Sequence, residues 1–420
     1  MELREKLRLA LAAAPVLSAA SLHSPAARPR TTHTNLQGLP ARLRLTDLGE
    51  VYVAEERWRL EHCHGQLSLS SALAVNETAL ARLAPELDPS DLERAAFLDV
   101  ETTGLAGGTG TLAFLVGVAT FEDGGLCLRQ FFLASPGGEE ALLTELSRVL
   151  EGCRAIVSFN GRCFDVPLLE TRFVLSRLRP PFGRMEHVDL LFAARRLYSR
   201  RLGSCRLGEV EESILGVRRE SDVPGWAVPR IYFDYLRYGT TGPLVSVFLH
   251  NKLDVLSLVT LLGRIGGAAG DTAPDDPHLC LALARWDEAR GRFAEADALY
   301  RAALRSGSLG EDSAFALRRL LSLLRRLGSW EQLEQLLTEA LQVTFPARCR
   351  VEVLVELAKF REHRCRDFAA AEELTREAIA LSQVTTGRSA ASGLAPRALD
   401  RRLARLLRRR RRGDLRPQAT

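Results

Sequence analysis

Residues 95–105 read AAFLDVETTGL, a short apolar run that ends in two carboxylates and a Thr-Thr-Gly-Leu turn. Its length and its Phe, Leu and Val content are those of a compact buried strand. Side chains on a strand alternate between faces, so Asp99 and Glu101 leave the same face at the C-terminal end, with Phe97 below them in the core. Two adjacent carboxylates repel each other unless positive charge lies between them, and this points to a metal cation.

Strand and helix signals alternate on both sides of this run. LAFLVGVATF (112–121) and LCLRQFFL (126–133) are strands joined by the turn EDGG, and GGEEALLTELSRVLEG (137–152) has helical spacing. RAIVSFN (154–160) is a buried strand, DVPLLETRFVLSRL (165–178) a helix, and HVDLLFAARRLYS (187–199) a strand leading into a helix. A three-strand meander followed by helix, strand, helix, strand predicts an α/β sandwich with a mixed five-stranded sheet flanked by helices. GPLVSVFLHNKLDVLSLVTLLGRI (242–265) then reads as a long helix, and GGAAGDTAPDDP (266–277) as a linker by composition.

Two further acidic positions follow in order. Asp165 in SFNGRCFDVPLL comes after a strand and near the start of a helix, where an N-cap role is an equally ordinary reading. In HNKLDV, His250 and Asp254 stand four apart on one helix and share a face. With LDVETTGLAGGTGTLAFLVGVA (98–119) and RLGEVEESILGVRRESDVPG (206–225), these segments resemble the DEDD superfamily, the proofreading-exonuclease type of ribonuclease-H-like fold. Within it they look like the YprB-type branch of predicted bacterial exonucleases, in which tetratricopeptide-like helices often follow the nuclease-like domain. The resemblance covers about 170 residues, 91–266.

That resemblance implies a ribonuclease-H-like exonuclease acting 3′ to 5′ on single-stranded nucleic-acid ends, DNA or RNA. It implies that Asp99, Glu101, Asp165 and Asp254 are the catalytic metal ligands for two divalent ions, Mg²⁺ or Mn²⁺, which suit an all-oxygen set better than zinc does. His250 would orient or deprotonate the attacking water. Thr102, Thr103, Gly104, Leu105, Asn160 and Phe164 would lie beside the substrate, with core packing as the competing reading for Leu105 and Phe164. One departure stands out: in the histidine-bearing subclass the His usually precedes the last Asp by five positions, and here by four, which leaves its reach to the water open.

Beyond the long helix, GRFAEADALYRAA (291–303), GSWEQLEQLLTEA (328–340) and RDFAAAEELTREA (366–378) repeat at intervals of 37 and 38 residues, each after an amphipathic stretch. Helix, turn, helix at this period resembles tetratricopeptide repeats and implies a surface for a protein partner. The competing reading is a set of helices that merely caps the α/β domain.

The chain has 420 residues, 46% of them hydrophobic and 26% charged, which excludes a single small module, wholesale disorder and a fibrous architecture. The net charge of +5 is a tail property: residues 397–420 hold ten Arg against Asp400 and Asp414, a local +8, whereas 91–265 carries 20 basic and 21 acidic residues. The run of five Arg at 408–412 is read either as a solvated extension or as a nucleic-acid contact. Eight cysteines without a CxxC pair suit a reducing compartment and an expected cytoplasmic location, and His62, Cys63 and His64 lack a second ligand pair at zinc-finger spacing. Glu2, Glu5 and Arg8 weaken the likeness of the N-terminal Ala/Leu stretch to a signal peptide, and no window of 18 uncharged apolar residues suggests a membrane span.

The expected organisation is a flexible lead (1–45), a short extension packing on the nuclease domain (46–90) with a hairpin inside Gly49–Leu69, and the nuclease domain (91–266). Separable helical repeats (277–385) and a disordered basic tail (386–420) follow. The rival function is a nuclease-fold scaffold that binds nucleic acid or protein through the repeats. Four intact carboxylates argue against such decay, because a cluster of unneutralised acids is costly to keep.

Overall fold

Seven strands form the main sheet: β1 (Arg42–Thr46), β2 (Gly49–Arg59), β5 (Ala95–Thr102), β6 (Ala113–Glu122), β7 (Gly125–Phe132), β8 (Ala155–Ser158) and β9 (Glu186–Asp189), in the order β1-β2-β7-β6-β5-β8-β9. The computed structural model describes residues 36, 38–104, 109–219, 222–305, 312–342, 345–386 and 396–414. β5, β8 and β9 run parallel and the other pairings are antiparallel. The sheet has seven strands and not the expected five because GEVYVAEERWR pairs along β7 and does not fold back on GQLSL. Val51, Val53 and Ala54 are buried there, and Arg129 of β7 bonds Glu55 of β2 and Glu122 of β6, tying three strands by charge. The expected hairpin shrinks to β3 (Cys63–His64) and β4 (Leu67–Ser68). Of the expected flexible lead, residues 42–45 lie in β1, while 1–35 and 37 lie outside the described residues.

Helices α1 (Glu77–Leu83), α2 (Glu139–Leu150), α3 (Asp165–Leu175), α4 (Leu190–Leu202), α5 (Val228–Tyr238) and α6 (Gly242–Gly270) flank the sheet. α6 has the sheet on one side and the 69–83 segment on the other. A Cβ on Gly263, Gly266 or Gly270 would fall 2.3, 2.4 or 2.5 Å from Ser71, Val75 or Asn76, so glycine at these places permits the close approach. The segment GGAAG, expected to begin a linker, therefore continues the helix. α6 is long and apolar enough by composition to cross a membrane, but 67% of its most apolar stretch is buried inside the protein.

Among the described residues seven α-helices follow: α7 (Pro277–Ala289), α8 (Phe293–Arg305), α9 (Asp312–Leu327), α10 (Trp330–Gln342), α11 (Ala347–Phe360), α12 (Phe368–Thr386) and α13 (Pro396–Asp414). The first residue of each sequence repeat sits at a turn with left-handed backbone: Gly291 at φ 76°, Gly328 at φ 69° and Arg366 at φ 57°. The repeats are not set apart by a boundary. Gly38 onward is one compact unit, and one hydrophobic core runs from Phe97 and Val255 through Leu281 and Trp286 to Leu357. At the seam, the fully buried Arg82 of α1 donates to Asp287 of α7 through Nε (2.9 Å) and Nη2 (2.6 Å).

The basic tail also departs from expectation, since residues 396–414 form α13. Leu399 and Leu406 are buried, and the buried carboxylate of Glu362 takes Arg402 (2.7 Å), Arg405 (3.1 Å) and Arg409 (3.2 Å), while Glu372 takes Arg410 (3.1 Å). Reading the tail as solvated overlooked two acids some 40 residues upstream that neutralise four of its arginines, two of them in the run.

Candidate active site

Asp99 stands near the carboxyl end of β5, which lies between β6 and β8 in the sheet, directly opposite Gly117 of β6. Asn251 of α6 donates from Nδ2 to the Asp99 carboxylate at 2.8 Å and to its main-chain carbonyl at 3.2 Å. Gln130 of β7 donates from Nε2 to Asn251 Oδ1 at 2.8 Å and to the Phe248 carbonyl at 2.8 Å. Both amides are buried, so each fixes the rotamer of the next. Gly117 makes room for this chain, because a Cβ there would lie 2.3 Å from Asn251 Oδ1.

Glu101, two residues along the same face, meets the helix pair His250 and Asp254. His250 Nε2 lies 3.8 Å from Glu101 and 3.4 Å from Asp254, and one ligand atom from each of the three falls within 4.8 Å of the others. The four-residue spacing therefore does bring the imidazole to the carboxylates. Its other nitrogen, Nδ1, is 2.6 Å from Asp222. Arg219 contacts both Asp254 and Glu211, reaches Asp222 at 3.2 Å, and lies 3.3 Å from His250 Nδ1.

Asp165 is the first residue of α3, with Phe164 at the cap position, so it leads the helix without capping it. A Cβ on Gly161 would fall 3.0 Å from the Asp165 carboxylate and 2.4 Å from Ser158 Oγ, which fits the glycine to this tight loop. Asp189, at the end of β9, accepts the backbone N–H groups of Asn160 (2.8 Å) and Arg162 (3.1 Å) and caps α4 through Leu191 N. Asn160 is held at φ 68°. Phe164 is 54% exposed, so the reading that buries it in the core does not hold. Thr103 bonds Leu112 with backbone and side chain, and Thr102 Oγ1 donates to the Gly104 carbonyl (2.9 Å), so these residues shape the turn after β5. Leu105 lies outside the described residues.

The electrostatics favour a cation. Burial, then the charges of Asp254, Glu101 and Asp165, raise Asp99 well above the ordinary carboxylate range. Burial raises Glu101 to about 7, with His250 pulling it down and Asp254 and Asp165 pushing it up, and burial with Asp189 and Asp254 raises Asp165 to about 7. Burial depresses the imidazolium of His250, yet the carboxylates of Asp254, Glu101 and Asp222 outweigh it and raise the group. Neither Asp99 nor Asp165 forms an ion pair among the described residues. Three part-buried carboxylates, Asp99, Glu101 and Asp165, raised by burial, by one another and by the buried Asp254, fit one or more hard divalent ions.

Sequence reasoning missed Asn251, Gln130, Gly117, Arg219, Glu211, Asp222 and Asp189. Asn251 lies inside the HNKLD motif, next to its histidine, and Arg219 and Asp222 lie inside the quoted 206–225 segment. Comparison with known proteins agrees with the geometry. The RNase_H superfamily model matches residues 96–265, which span every group just described. The uncharacterized protein YprB of Bacillus subtilis (strain 168) is 31% identical over 336 residues, 78% of this chain and 80% of that protein.

Proposed function

Starting from the RNase H superfamily, to which this chain belongs together with its Bacillus relative, we propose that the protein is a metal-dependent nuclease that removes nucleotides from the 3′ ends of single-stranded nucleic acid. Asp99, Glu101, Asp165 and Asp254 would hold two divalent ions, Mg²⁺ or Mn²⁺. Such ions, when bound, supply an activated water and stabilise charge on the leaving oxygen. Asn251 orients the Asp99 carboxylate, and Asp222 accepts the Nδ1 proton of His250, which leaves Nε2 turned toward Glu101 and Asp254 to take a proton from water. Arg219 balances Asp254 and Glu211. Exposed Phe164 beside Asp165 offers a flat face on which a terminal base can stack.

The observation that carries this reading is the meeting of Glu101, His250 and Asp254 within 4.8 Å, next to an Asp99 already held by Asn251. The 3′ polarity and the two-ion arrangement rest on the resemblance of the motifs. The test is cleavage of 3′- and 5′-labelled single-stranded DNA and RNA by the purified chain with Mg²⁺, Mn²⁺ or chelator, beside Asp99→Asn. Stepwise loss of 3′ label that needs metal and vanishes in the variant supports it. Metal-independent binding with no cleavage of any substrate favours the scaffold reading.

A further inference from the structure

A cavity of about 720 Å³ opens between α4, α7 and α9. Arg195 and Arg196 of α4, Arg285 of α7, and Arg319 and Arg326 of α9 line it, and the lining acid is Glu288. That carboxylate is already engaged, at 2.7 Å by Arg319 and at 2.8 Å by the Tyr300 hydroxyl. Arg195, Arg196 and Arg285 form no ion pair among the described residues. Two of them are held on aromatic faces instead: Arg196 over Trp286 (5.5 Å) and Arg285 over Phe315 (5.2 Å). Stacking of this kind fixes the guanidinium plane and leaves its N–H edge to donate. Phe192, 42% exposed, adds an open aromatic face to the wall.

Position connects the cavity with the carboxylates. α4 begins immediately after Asp189, which holds the Asn160–Arg162 loop at the site. Phe192, Arg195, Arg196 and Ser199 follow at helical spacing on one face, so the wall starts within one turn of that loop with Phe192 and extends about 10 Å along the helix. The nuclease block itself has no net positive field, with 20 basic and 21 acidic residues over 91–265. The repeats supply Arg285, Arg319 and Arg326, and so the charge is assembled only where the two parts meet.

We propose that this cavity is a binding groove for single-stranded nucleic acid, with phosphates on the arginines and a base on Phe192, and that it holds the strand whose end enters the carboxylate site. The groove deepens the proposed nuclease reading, naming the extended strand as its substrate. A run of phosphates matches five arginines lined against a single acid, and an open aromatic face suits a base better than an acidic peptide.

The test uses the full-length protein with Arg195, Arg196 and Arg285 all changed to Ser, a set of exposed positions that leaves the core untouched. Binding of fluorescein-labelled oligo(dT) and oligo(rU), each about 20 nucleotides long, is followed by anisotropy in chelator, so that cleavage plays no part. Loss of three phosphate contacts should lower the log–log salt slope by about 2 and weaken binding at low salt by at least about tenfold. The Arg→Lys triple variant should keep most of the slope. Hydrolysis of the p-nitrophenyl ester of thymidine 5′-phosphate, too short to reach the groove, should be unchanged. Equal affinity and slope in the Ser variant would overturn the groove, as would poly-glutamate competing as well as the oligonucleotide. Lost binding in the Ser variant, with no hydrolysis by the unaltered protein, would keep the groove and remove the nuclease reading.

Discussion

Asp222 lies 2.6 Å from His250 Nδ1, which turns the opposite ring nitrogen toward Glu101 and Asp254. A carboxylate at that place selects the tautomer with the proton on Nδ1 and leaves a lone pair on Nε2. Asp222→Asn can present its amide N–H to Nδ1 and reverse that choice. Turnover should fall by about 10- to 100-fold with the fold intact, as checked by circular dichroism. Unchanged turnover would mean that Asp222 only balances Arg219.

His250→Ala should lower turnover by roughly 10²-fold or more while metal affinity, followed by calorimetry, changes little. Asp254→Ala should lose both, because it removes a proposed ligand as well as the counter-charge of Arg219. A rising limb in the pH–rate profile that disappears in His250→Ala assigns the base. Retained activity in that variant assigns water activation to the metal alone.

Proton and metal should compete at the carboxylates. Folding raises Glu101 and Asp165 to about 7 and Asp99 well above its usual range, whereas in the unfolded chain all three titrate near ~4. Across that window the folded state holds protons that the unfolded state has released, so the contribution of these groups to stability falls as pH rises from ~4 through ~7. In chelator, melting temperature should therefore drop between about pH 5.5 and pH 8 more in the unaltered protein than in Asp99→Asn. Mn²⁺ should raise it more at the higher pH. Equal Mn²⁺ shifts at both pH values would show that the carboxylates bind no metal.

Breaking the seam should unfold more than the repeats. Asp287→Ala strands the fully buried Arg82 and should cost about 3–5 kcal/mol in denaturant unfolding, whereas Arg82→Ala leaves Asp287 paired with Arg292 and should cost less. A chain ending near residue 270 removes Asp287 and uncovers the core shared with Leu281 and Trp286, so it should be insoluble. A soluble, metal-binding truncation would restore the picture of a separable repeat unit.

Glu362→Gln should release α13, since it leaves the buried Arg402 without its counter-ion. Limited trypsin digestion is the readout: cleavage between residues 397 and 410 should accelerate at least about tenfold, through the lower stability of the docked helix. An unchanged cleavage rate would assign the docking to Leu399 and Leu406 alone.

Four of the catalytic candidates were legible because each obeys a short-range rule, while Asp165 was found through the resemblance of its motif. Period two placed Asp99 and Glu101 on one face, and the four-residue helical interval did the same for His250 and Asp254. The supports were not legible, because their meaning depends on convergence from distant strands. Gln130 sits in a strand whose pattern announces only burial, and nothing local reveals that it reaches Asn251 across 121 residues. Arg219 and Asp222 lie in a connection without periodicity, where spacing carries no information about direction. The paired arginines of α13 were misread for a related reason: a charge run shows its own sign and not the acids that fold against it. Strand β2 was recognised as a strand but given the wrong neighbour, since alternation sets which face is buried and not which edge is joined.

The hydrogen in place of a side chain at residue 117 limits what motif counting can achieve. One added methyl group would fall on Asn251 Oδ1 and push that amide off the Asp99 carboxylate, with every acid and the histidine still present in the sequence. Such a chain would carry the whole signature of the site and lack its geometry. In this chain residue 117 thus decides whether Asn251 can hold Asp99, although it brings no functional group of its own.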